Sequence, residues 1–214
     1  MKLFDENRII WKFAKGAPEW YLLSIIIYQI MNPNLTGLKT FLLFIALGST
    51  NRILKNLIFK PLYKFTGKES LPIIGRGSRP IGASGCSGIT KDILGKASKE
   101  KSKTFGMPSG HSQIAWILTT FIILQLFDKG NEMTVMNYDT DSELTLTNTR
   151  RKLLKFAYKI KYELTAFLLL YSVLVSFSRV YVEGCHTIEQ VTIGALFGAL
   201  FGYIGYYIVH KYIK

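Results

Sequence analysis

Blocks of apolar residues separated by polar sequence constrain this chain more than any other feature. They lie at residues 20–31, 38–59, 114–127, 164–177 and 191–209. A helix needs about 20 mostly apolar residues to cross a bilayer, and each block reaches or approaches that length once its aromatic and polar flanks are included. The pattern therefore predicts an all-α fold, a polytopic membrane helix bundle of about five transmembrane helices.

The polar segments between these blocks predict loops rather than further domains. A length of 214 residues fits one domain, and we expect a single membrane-embedded domain over residues 1–214. Residues 1–17 are too polar for the apolar core of a signal peptide and predict an amphipathic lead-in at the membrane interface. Residues 60–106 and 128–161 are long polar loops, and loops of such length are more often functional or disordered than idle.

The formal net charge of +13 narrows the range of partners. Nucleic acid is not expected, because the lysines are scattered beside apolar blocks and no stacking platform or groove-reading element is visible. Anionic membrane lipids or an anionic substrate are a simpler explanation of the positive charge than nucleic acid. No pattern in the sequence indicates an oligomeric state.

The stretch TFGMPSGHSQIAW at residues 104–116 has the features of an anion site at the start of a helix. Ser109 is a candidate N-cap, Gly110 follows it, and His111 falls in the first helical turn. Free backbone N–H groups and the helix dipole favour an anion there, and a histidine at this place can protonate a departing oxygen. The structural alternative is an N-capped spanning helix with an incidental histidine.

Cationic residues and a second histidine lie at the ends of other apolar blocks. With five alternating spans, the loop between the second and third spans shares a face with the loop between the fourth and fifth. That face collects Lys55, Arg79, Ser109, Gly110, His111, Arg179 and His186. Arginines near a bilayer tend to face protein, water or an anion, and two histidines with several cations are what phosphoryl transfer requires.

Three short motifs, in this order, resemble the signature of the type 2 phosphatidic acid phosphatase superfamily. They are RP at 79–80, PSGH at 108–111, and SR followed by a histidine at 178–186. The family signature reads K-x6-RP, PSGH and SR-x5-H-x3-D. The third motif most resembles the dolichyldiphosphatase branch, in which glutamine follows the histidine at the spacing of Gln190.

The resemblance implies a role for each matching residue. His186 would be the nucleophile that forms a phosphohistidine, and His111 would protonate the leaving group and later activate water. The phosphate oxygens would be bound by Arg79, Arg179, a lysine, Ser109 and the amide of Gly110. The resemblance implies no metal and no cofactor, because cationic side chains supply the positive charge.

The lysine of the first motif is displaced in this chain. The residue seven positions before Arg79 is Pro72. Lys55 is the best candidate, because the family's lysine also closes a spanning helix, and this assignment requires an insertion before the RP pair. Lys60 and Lys68 remain alternatives.

The third motif departs from the family pattern in two ways. Six residues rather than five separate Arg179 from His186, and Gly184 can absorb the extra residue with a positive φ. Gln190 replaces the aspartate that would orient His186, and its carbonyl can accept the Nδ1–H bond but supplies no charge. Glu189 is charged and three residues from His186, so it is the rival for this role.

The two cysteines, Cys86 and Cys185, lie in loops on the same predicted face. A disulfide between them is therefore geometrically possible, and a pair of free thiols is the alternative. Neither a metal nor a redox role finds partners at suitable spacing, which makes Cys185 a bystander beside His186.

Gly194, Gly198 and Gly202 recur every four residues in the last apolar block. Small residues at this spacing allow membrane helices to approach closely. The stripe predicts tight packing of the last helix, which would fix His186 against the other loops.

These features predict an integral-membrane, metal-independent lipid phosphatase that hydrolyses a polyprenyl (dolichyl) diphosphate. The alternatives are a phosphatase for phosphatidic acid or another lipid phosphate, and a catalytically silent protein that binds lipid or scaffolds membrane partners. The predicted active-site face carries the larger share of the 27 lysines and arginines, which would make it cytoplasmic by the positive-inside rule. The basic segment 150–161 and the resemblance favour the opposite orientation, so we expect an endoplasmic reticulum location with a lumenal active site.

Overall fold

The computed structural model describes residues 9–83, 86, 105–130 and 145–213, except for the side chains of 145–151. Parts of three segments considered above lie outside the described residues. They are 1–8 of the lead-in, 84–85 and 87–104 of the loop 60–106, and 131–144 of the loop 128–161.

The described chain is mostly helical. Its helices, in chain order, are α1 (Ile9–Lys15), α2 (Ala17–Met31), α3 (Leu35–Ile53), α4 (Lys60–Thr66), α5 (Gly110–Leu126), α6 (Thr145–Lys159), α7 (Lys161–Phe177) and α8 (Ile188–Ile208). Wider π-helical turns continue α3, α7 and α8 at Leu54–Phe59, Ser178–Val182 and Val209–Ile213. A short antiparallel hairpin of β1 (Ser70–Leu71) and β2 (Gly75–Arg76) follows α4.

Helices long and apolar enough to cross a membrane identify an integral membrane protein. Among the described residues there are 3 such helices, at Leu35–Thr66, Lys161–Val182 and Ile188–Ile213. Helices α2 and α5 coincide with two further apolar blocks but have only 15 and 17 residues. The predicted all-α membrane fold is therefore confirmed, whereas the predicted count of about five spans is not.

The glycine stripe of α8 packs directly on the backbone of α5, as the sequence predicts. A Cβ added at Gly194 would lie 2.6 Å from the carbonyl oxygen of Ser109, and one at Gly198 would lie 2.4 Å from that of Gln113. One turn further, Gly202 lies as close to the backbone of α5. Because no side chain separates the two helices, the start of α8 is fixed beside the start of α5.

Hydroxyl groups connect α5 to α7 inside the bundle. Thr119 Oγ1 and Ser172 Oγ are 2.7 Å apart, and Ser112 Oγ and Ser176 Oγ are 2.9 Å apart. Ser112 Oγ also donates to the carbonyl of Val191 in α8, at 2.8 Å. Such interhelical hydrogen bonds help to hold membrane helices together, where apolar surfaces alone give little preference. The three helices therefore meet with the start of α5 beside the end of α7.

The hairpin and the strand-like segment after it lie over this end of the bundle. Ser78 pairs with Phe105 in an isolated antiparallel bridge, and the amides of Gly106 and Met107 donate to the carbonyl of Gly77. Tyr63 Oη donates to the carbonyl of Gly75 at 2.7 Å. These bonds place the RP pair beside the PSGH motif.

Candidate active site

The motif residues come from four places in the chain and meet at one end of the bundle. Arg79 follows the hairpin, Ser109 precedes α5, and Arg179 lies in the π-helical turn that continues α7. His186 lies just before α8, whose N-cap is Thr187. The structure thus brings together loops that the sequence assigned to one face.

Gln190 occupies the position beside His186 that an aspartate holds in the family signature. Its Nε2 donates to the carbonyls of Arg76 and Ser78, each at 2.7 Å. Because a carbonyl only accepts hydrogen bonds, the two contacts fix which end of the amide is nitrogen. The Gln190 Oε1 atom therefore faces His186, with 2.9 Å between Oε1 and Nδ1.

The hydrogen bonds around His186 select one tautomer of its ring. Gln190 Oε1 can only accept, so Nδ1 carries the proton and donates. At the other side of the ring, Arg79 Nη1 lies 3.3 Å from Nε2, and a guanidinium can only donate. Nε2 therefore keeps its lone pair and faces the cationic part of the site. A histidine nucleophile needs this arrangement.

His186 is held neutral by its surroundings. Its side chain is 2 % exposed, and burial lowers the pKa of His186 well below its usual 6.5. The charges of Arg179, Arg79 and Lys55 lower this pKa further, and the hydrogen bond that His186 donates to Gln190 opposes them. Burial also lowers the pKa of Arg79, to about 10, so that guanidinium stays charged at neutral pH.

Arg179 is completely buried and is held by a carboxylate that the sequence reasoning missed. Its Nη1 donates to Glu183 Oε2 in an ion pair, and Glu183 Oε1 accepts a bond of 2.8 Å from Ser178 Oγ. Arg179 Nη2 donates to the carbonyl of Cys86 at 3.0 Å. The i, i+4 spacing of Arg179 and Glu183 was the available signal, since residues so spaced are neighbours on a helix.

The two cysteines form a disulfide across the site. Cys86 and Cys185 are bonded, with their Cα atoms 5.6 Å apart, so the free-thiol alternative is wrong. Cys185 is also more than a bystander, because its carbonyl accepts a bond of 3.1 Å from Arg79 Nη1. The covalent bond ties the loop after Arg79 to the loop that carries His186.

Ser109 takes the N-cap position of α5, but its hydroxyl does not cap the helix. Its side chain makes no capping hydrogen bond, and its amide donates to the carbonyl of Gln190 at 2.9 Å. The expected cap is therefore corrected: the Ser109 hydroxyl is fully buried and makes no hydrogen bond. Gly110 begins the helix, where backbone N–H groups have no partner within the helix.

Buried polar atoms from two of the motif segments, PSGH and SR, lack hydrogen-bond partners at this end. Within the described residues, Ser109 Oγ, His111 Nε2 and Arg179 Nε are buried and make no hydrogen bond. Lys55, Arg79 and Arg179 are close enough to His111 to act on it electrostatically. Buried polar groups are normally paired, so a cluster of unpaired donors among cations is suited to an anion with several oxygens.

The structure distinguishes between the candidate lysines. Lys55 lies in the π-helical turn after α3, is partly buried, and interacts electrostatically with Arg79 and Arg179. Lys60 and Lys68 are exposed. Lys55 and Arg179 thus both lie in π-helical turns, a local widening often found at functional sites.

Glu189 is not brought to His186. Its side chain is exposed and packs against Gly75, where an added Cβ would lie 2.6 Å from Glu189 Cγ. Residue 189 is in the first turn of α8, one position before Gln190, and points to a different side of the helix. The geometry therefore gives the contact with His186 to Gln190.

A polar chain behind the PSGH motif was also missed. Asn51 Nδ2 donates to Gln113 Oε1 at 2.8 Å and to the carbonyl of Pro108 at 3.3 Å. Gln113 Nε2 donates in turn to Thr50 Oγ1 at 2.8 Å. These bonds hold α3 against the start of α5. Polar residues within apolar blocks were the only signal in the sequence, and they do not indicate a partner.

Comparison with known proteins adds one finding to this geometry. The family model described as the PAP2 superfamily matches residues 68–214. The match includes Arg79, Ser109, Arg179 and His186, and Lys55 precedes it. Neither the curated proteins nor the solved structures contain a match to this chain.

Proposed function

The chain belongs to the PAP2 superfamily of lipid phosphatases, and from this premise we propose that it hydrolyses a polyprenyl (dolichyl) diphosphate to the monophosphate through a phosphohistidine at His186. The observation that carries the proposal is the contact of 2.9 Å between His186 Nδ1 and Gln190 Oε1. This contact directs the lone pair of Nε2 towards the cations. A hydrogen bond of this kind would fix the orientation of the ring, which supports a role as nucleophile.

In the first step, Nε2 of His186 attacks the terminal phosphorus atom. A P–N bond forms, and the anhydride P–O bond to the lipid phosphate breaks. His111, at the start of α5, donates a proton to the departing oxygen. The lipid monophosphate leaves, and the terminal phosphoryl group stays on His186.

In the second step, water attacks the phosphohistidine. His111, now without its proton, accepts one from the water, the P–N bond breaks, and inorganic phosphate is released. The proton gained by His111 restores it for the next cycle. The ring of His186 returns to the neutral tautomer that Gln190 holds.

Charge stabilisation in both steps would come from side chains. Lys55, Arg79 and Arg179 act electrostatically on both histidines, and the Ser109 hydroxyl with the Gly110 amide completes the set. Groups positioned where charge develops stabilise the transition state without needing to reorganise. We therefore propose that the reaction needs no metal ion and no other cofactor.

The choice of a polyprenyl diphosphate rests on Gln190. In the resemblance described above, glutamine at this spacing is a feature of the dolichyldiphosphatase branch. The residues of the site would bind the phosphate and not the lipid tail. Phosphatidic acid or another lipid phosphate is therefore the alternative substrate. A silent protein that only binds lipid or scaffolds membrane partners is the alternative of another class.

A substrate panel with purified protein in detergent tests the proposal. We expect release of phosphate from dolichyl diphosphate in the presence of a metal chelator, and faster than from phosphatidic acid or phosphatidylglycerol phosphate. His186→Ala should abolish release, and His111→Ala should reduce it strongly. His210→Ala is the control, because His210 pairs with Asp128 beyond the other end of α5.

The outcomes separate the alternatives. Faster release from phosphatidic acid would assign the substrate to the other lipid class. No release from any lipid phosphate would favour the silent protein. Acid-labile label on a peptide containing His186, trapped from substrate labelled in its terminal phosphate, is the expected mark of the intermediate.

We also propose that the site faces the lumen of the endoplasmic reticulum. The Cys86–Cys185 disulfide supports this side, because disulfides persist in oxidising compartments and are rare in the cytosol.

A further inference from the structure

The Cys86–Cys185 disulfide and the two site arginines form a crossed arrangement. Cys86 follows Arg79 in one loop, and Cys185 follows Arg179 in the other. The carbonyl of Cys86 accepts from Arg179 Nη2 at 3.0 Å, and the carbonyl of Cys185 accepts from Arg79 Nη1 at 3.1 Å. Each cysteine therefore holds the arginine of the opposite loop.

The loop that carries Cys185 is irregular and folds back onto Arg179. Gly184 has a φ of 61°, in the left-handed region, and the amides of Cys185 and His186 both donate to the carbonyl of Arg179. The disulfide joins this loop to a segment 99 residues away. The covalent bond thus links the two residues whose carbonyls accept hydrogen bonds from the site arginines.

We propose that the disulfide is a positioning element of the phosphate site, and that turnover depends on its being oxidised. This inference rests on the proposed function, in which both arginines bind the transferred phosphoryl group. The cysteines do not touch the substrate. They act through their carbonyls on Arg79 and Arg179.

Reduction would disturb both guanidiniums together. A dithiol reductant transfers two electrons and two protons, leaving Cys86 and Cys185 as thiols and the reductant as its cyclic disulfide. Two unbonded thiols cannot stay as close as two bonded sulfur atoms, and Cys185 is fully buried, where protein interiors are close-packed. The loops must separate, and a displacement of about 1 Å at a catalytic group can lower a rate by about 100-fold.

The test compares the oxidised protein with protein treated with dithiothreitol, using alkylation and mass measurement to prove complete reduction. We expect kcat/KM for the lipid phosphate to fall at least about 10-fold, and the inhibition constants of inorganic phosphate and vanadate to rise. Reoxidation should restore all three. The double variant C86S/C185S should show the reduced constants and no response to the dithiol.

The inhibition constants separate positioning from general loss of structure. Partial unfolding would lower kcat in proportion to the folded fraction and leave the inhibition constants unchanged, and that result would overturn the proposal. So would fully reduced protein with the constants of the oxidised form. Size-exclusion profiles and helical circular dichroism of both forms show whether the fold persists.

Failure of the proposed function gives a different result. If the oxidised protein hydrolyses no lipid phosphate, that function is wrong whatever the reductant does. Calorimetric titration of vanadate into the oxidised and reduced forms then tests the disulfide directly. Equal affinity in the two forms would overturn the positioning role, and weaker binding after reduction would support it.

Discussion

At the scale of single residues, the amide of Gln190 explains why a neutral group supports His186 here. Its Nε2 lies between the carbonyls of Arg76 and Ser78, and a Cβ added at Gly106 would lie 2.5 Å from its Oε1. A carboxylate in this place would set an oxygen against two carbonyl oxygens. The site therefore suits a side chain that accepts at one end and donates at the other.

Removing this amide should slow catalysis more than removing its charged neighbour. We expect Gln190→Ala to lower kcat by about 100-fold, because His186 loses the acceptor that fixes its tautomer. Glu189→Ala should stay within about twofold, since the side chain is exposed and away from the ring. Steady-state kinetics of both variants on the same substrate checks this. A larger effect of Glu189→Ala would assign the supporting role to the glutamate.

A carboxylate at position 190, as in the family signature, should not increase the activity. We expect Gln190→Glu to be no faster than Gln190→Ala and less stable than wild type by about 1–3 kcal/mol, because the carbonyls of Arg76 and Ser78 lose their donor. Kinetics and thermal unfolding in detergent measure the two effects. Wild-type activity in Gln190→Glu would show that the donor contacts are unimportant.

The low pKa of His186 should be visible in the pH dependence of kcat/KM. Protonation removes the nucleophile, and burial with three nearby cations lowers the pKa of His186 well below 6.5. The acidic limb of kcat/KM should therefore lie well below pH 6.5, and Arg79→Gln, which removes one cation, should move it towards pH 6.5. Comparing variants on one substrate cancels the ionisation of the substrate.

Arg76→Gln is the matched control for that profile. The Arg76 side chain is partly exposed and pairs with Glu69, whereas the charges that lower the pKa of His186 are those of Arg179, Arg79 and Lys55. Its profile should overlay that of the wild type. An acidic limb that stays in place in Arg79→Gln would contradict the assigned electrostatics.

At the scale of elements, the contact between α8 and α5 sets the geometry of the site. The glycines of α8 lie against the α5 backbone, so the starts of the two helices are fixed relative to each other. Ser109 and His111 come from one start, and His186 and Gln190 from the other. The π-helical turns at Leu54–Phe59 and Ser178–Val182 then bring the cations to the same end.

A methyl group at this contact should separate the helices. Gly198→Ala would place Cβ 2.4 Å from the carbonyl of Gln113, and we expect a loss of about 1–3 kcal/mol in stability together with reduced activity. Gly205→Ala is the control, because the nearest atom is the end of the flexible Leu47 side chain, and it should cost less. Thermal unfolding measures both, and equal losses would exclude close backbone packing as the cause.

At the scale of the whole molecule, the two ends of the bundle differ in chemistry. The site end carries the disulfide. The other end carries α6, between the end of α5 and the start of α7, with the exposed basic residues Lys152 and Lys159. Disulfides favour an oxidising compartment and basic segments next to spans favour the cytosol, so both features support the proposed lumenal site.

Labelling of single added cysteines tests this orientation in sealed membrane vesicles with the cytosolic face outward. The native cysteines are in the disulfide and should not react. A membrane-impermeant maleimide should label Lys152→Cys in intact vesicles, and Ile81→Cys, at an 89 % exposed position near Arg79, only after permeabilisation. The reverse pattern would place the site in the cytosol.

Local sequence patterns were sufficient to predict several features of this chain. Apolar blocks predicted membrane helices because each spanning helix must satisfy its backbone internally and cover itself with apolar side chains. The glycine stripe predicted close packing, and the three motifs identified the residues that the structure brings together. The positive φ of Gly184 followed from one extra residue in its loop. These features are encoded within a few helical turns.

The choice between residues adjacent in sequence depends on how distant segments pack together. Gln190 rather than Glu189 contacts His186 because its donors find the carbonyls of Arg76 and Ser78, more than 100 residues away. The disulfide and the carbonyl partners of the two arginines likewise join distant segments. Pairing between distant segments depends on how the helices dock, which a local pattern does not encode.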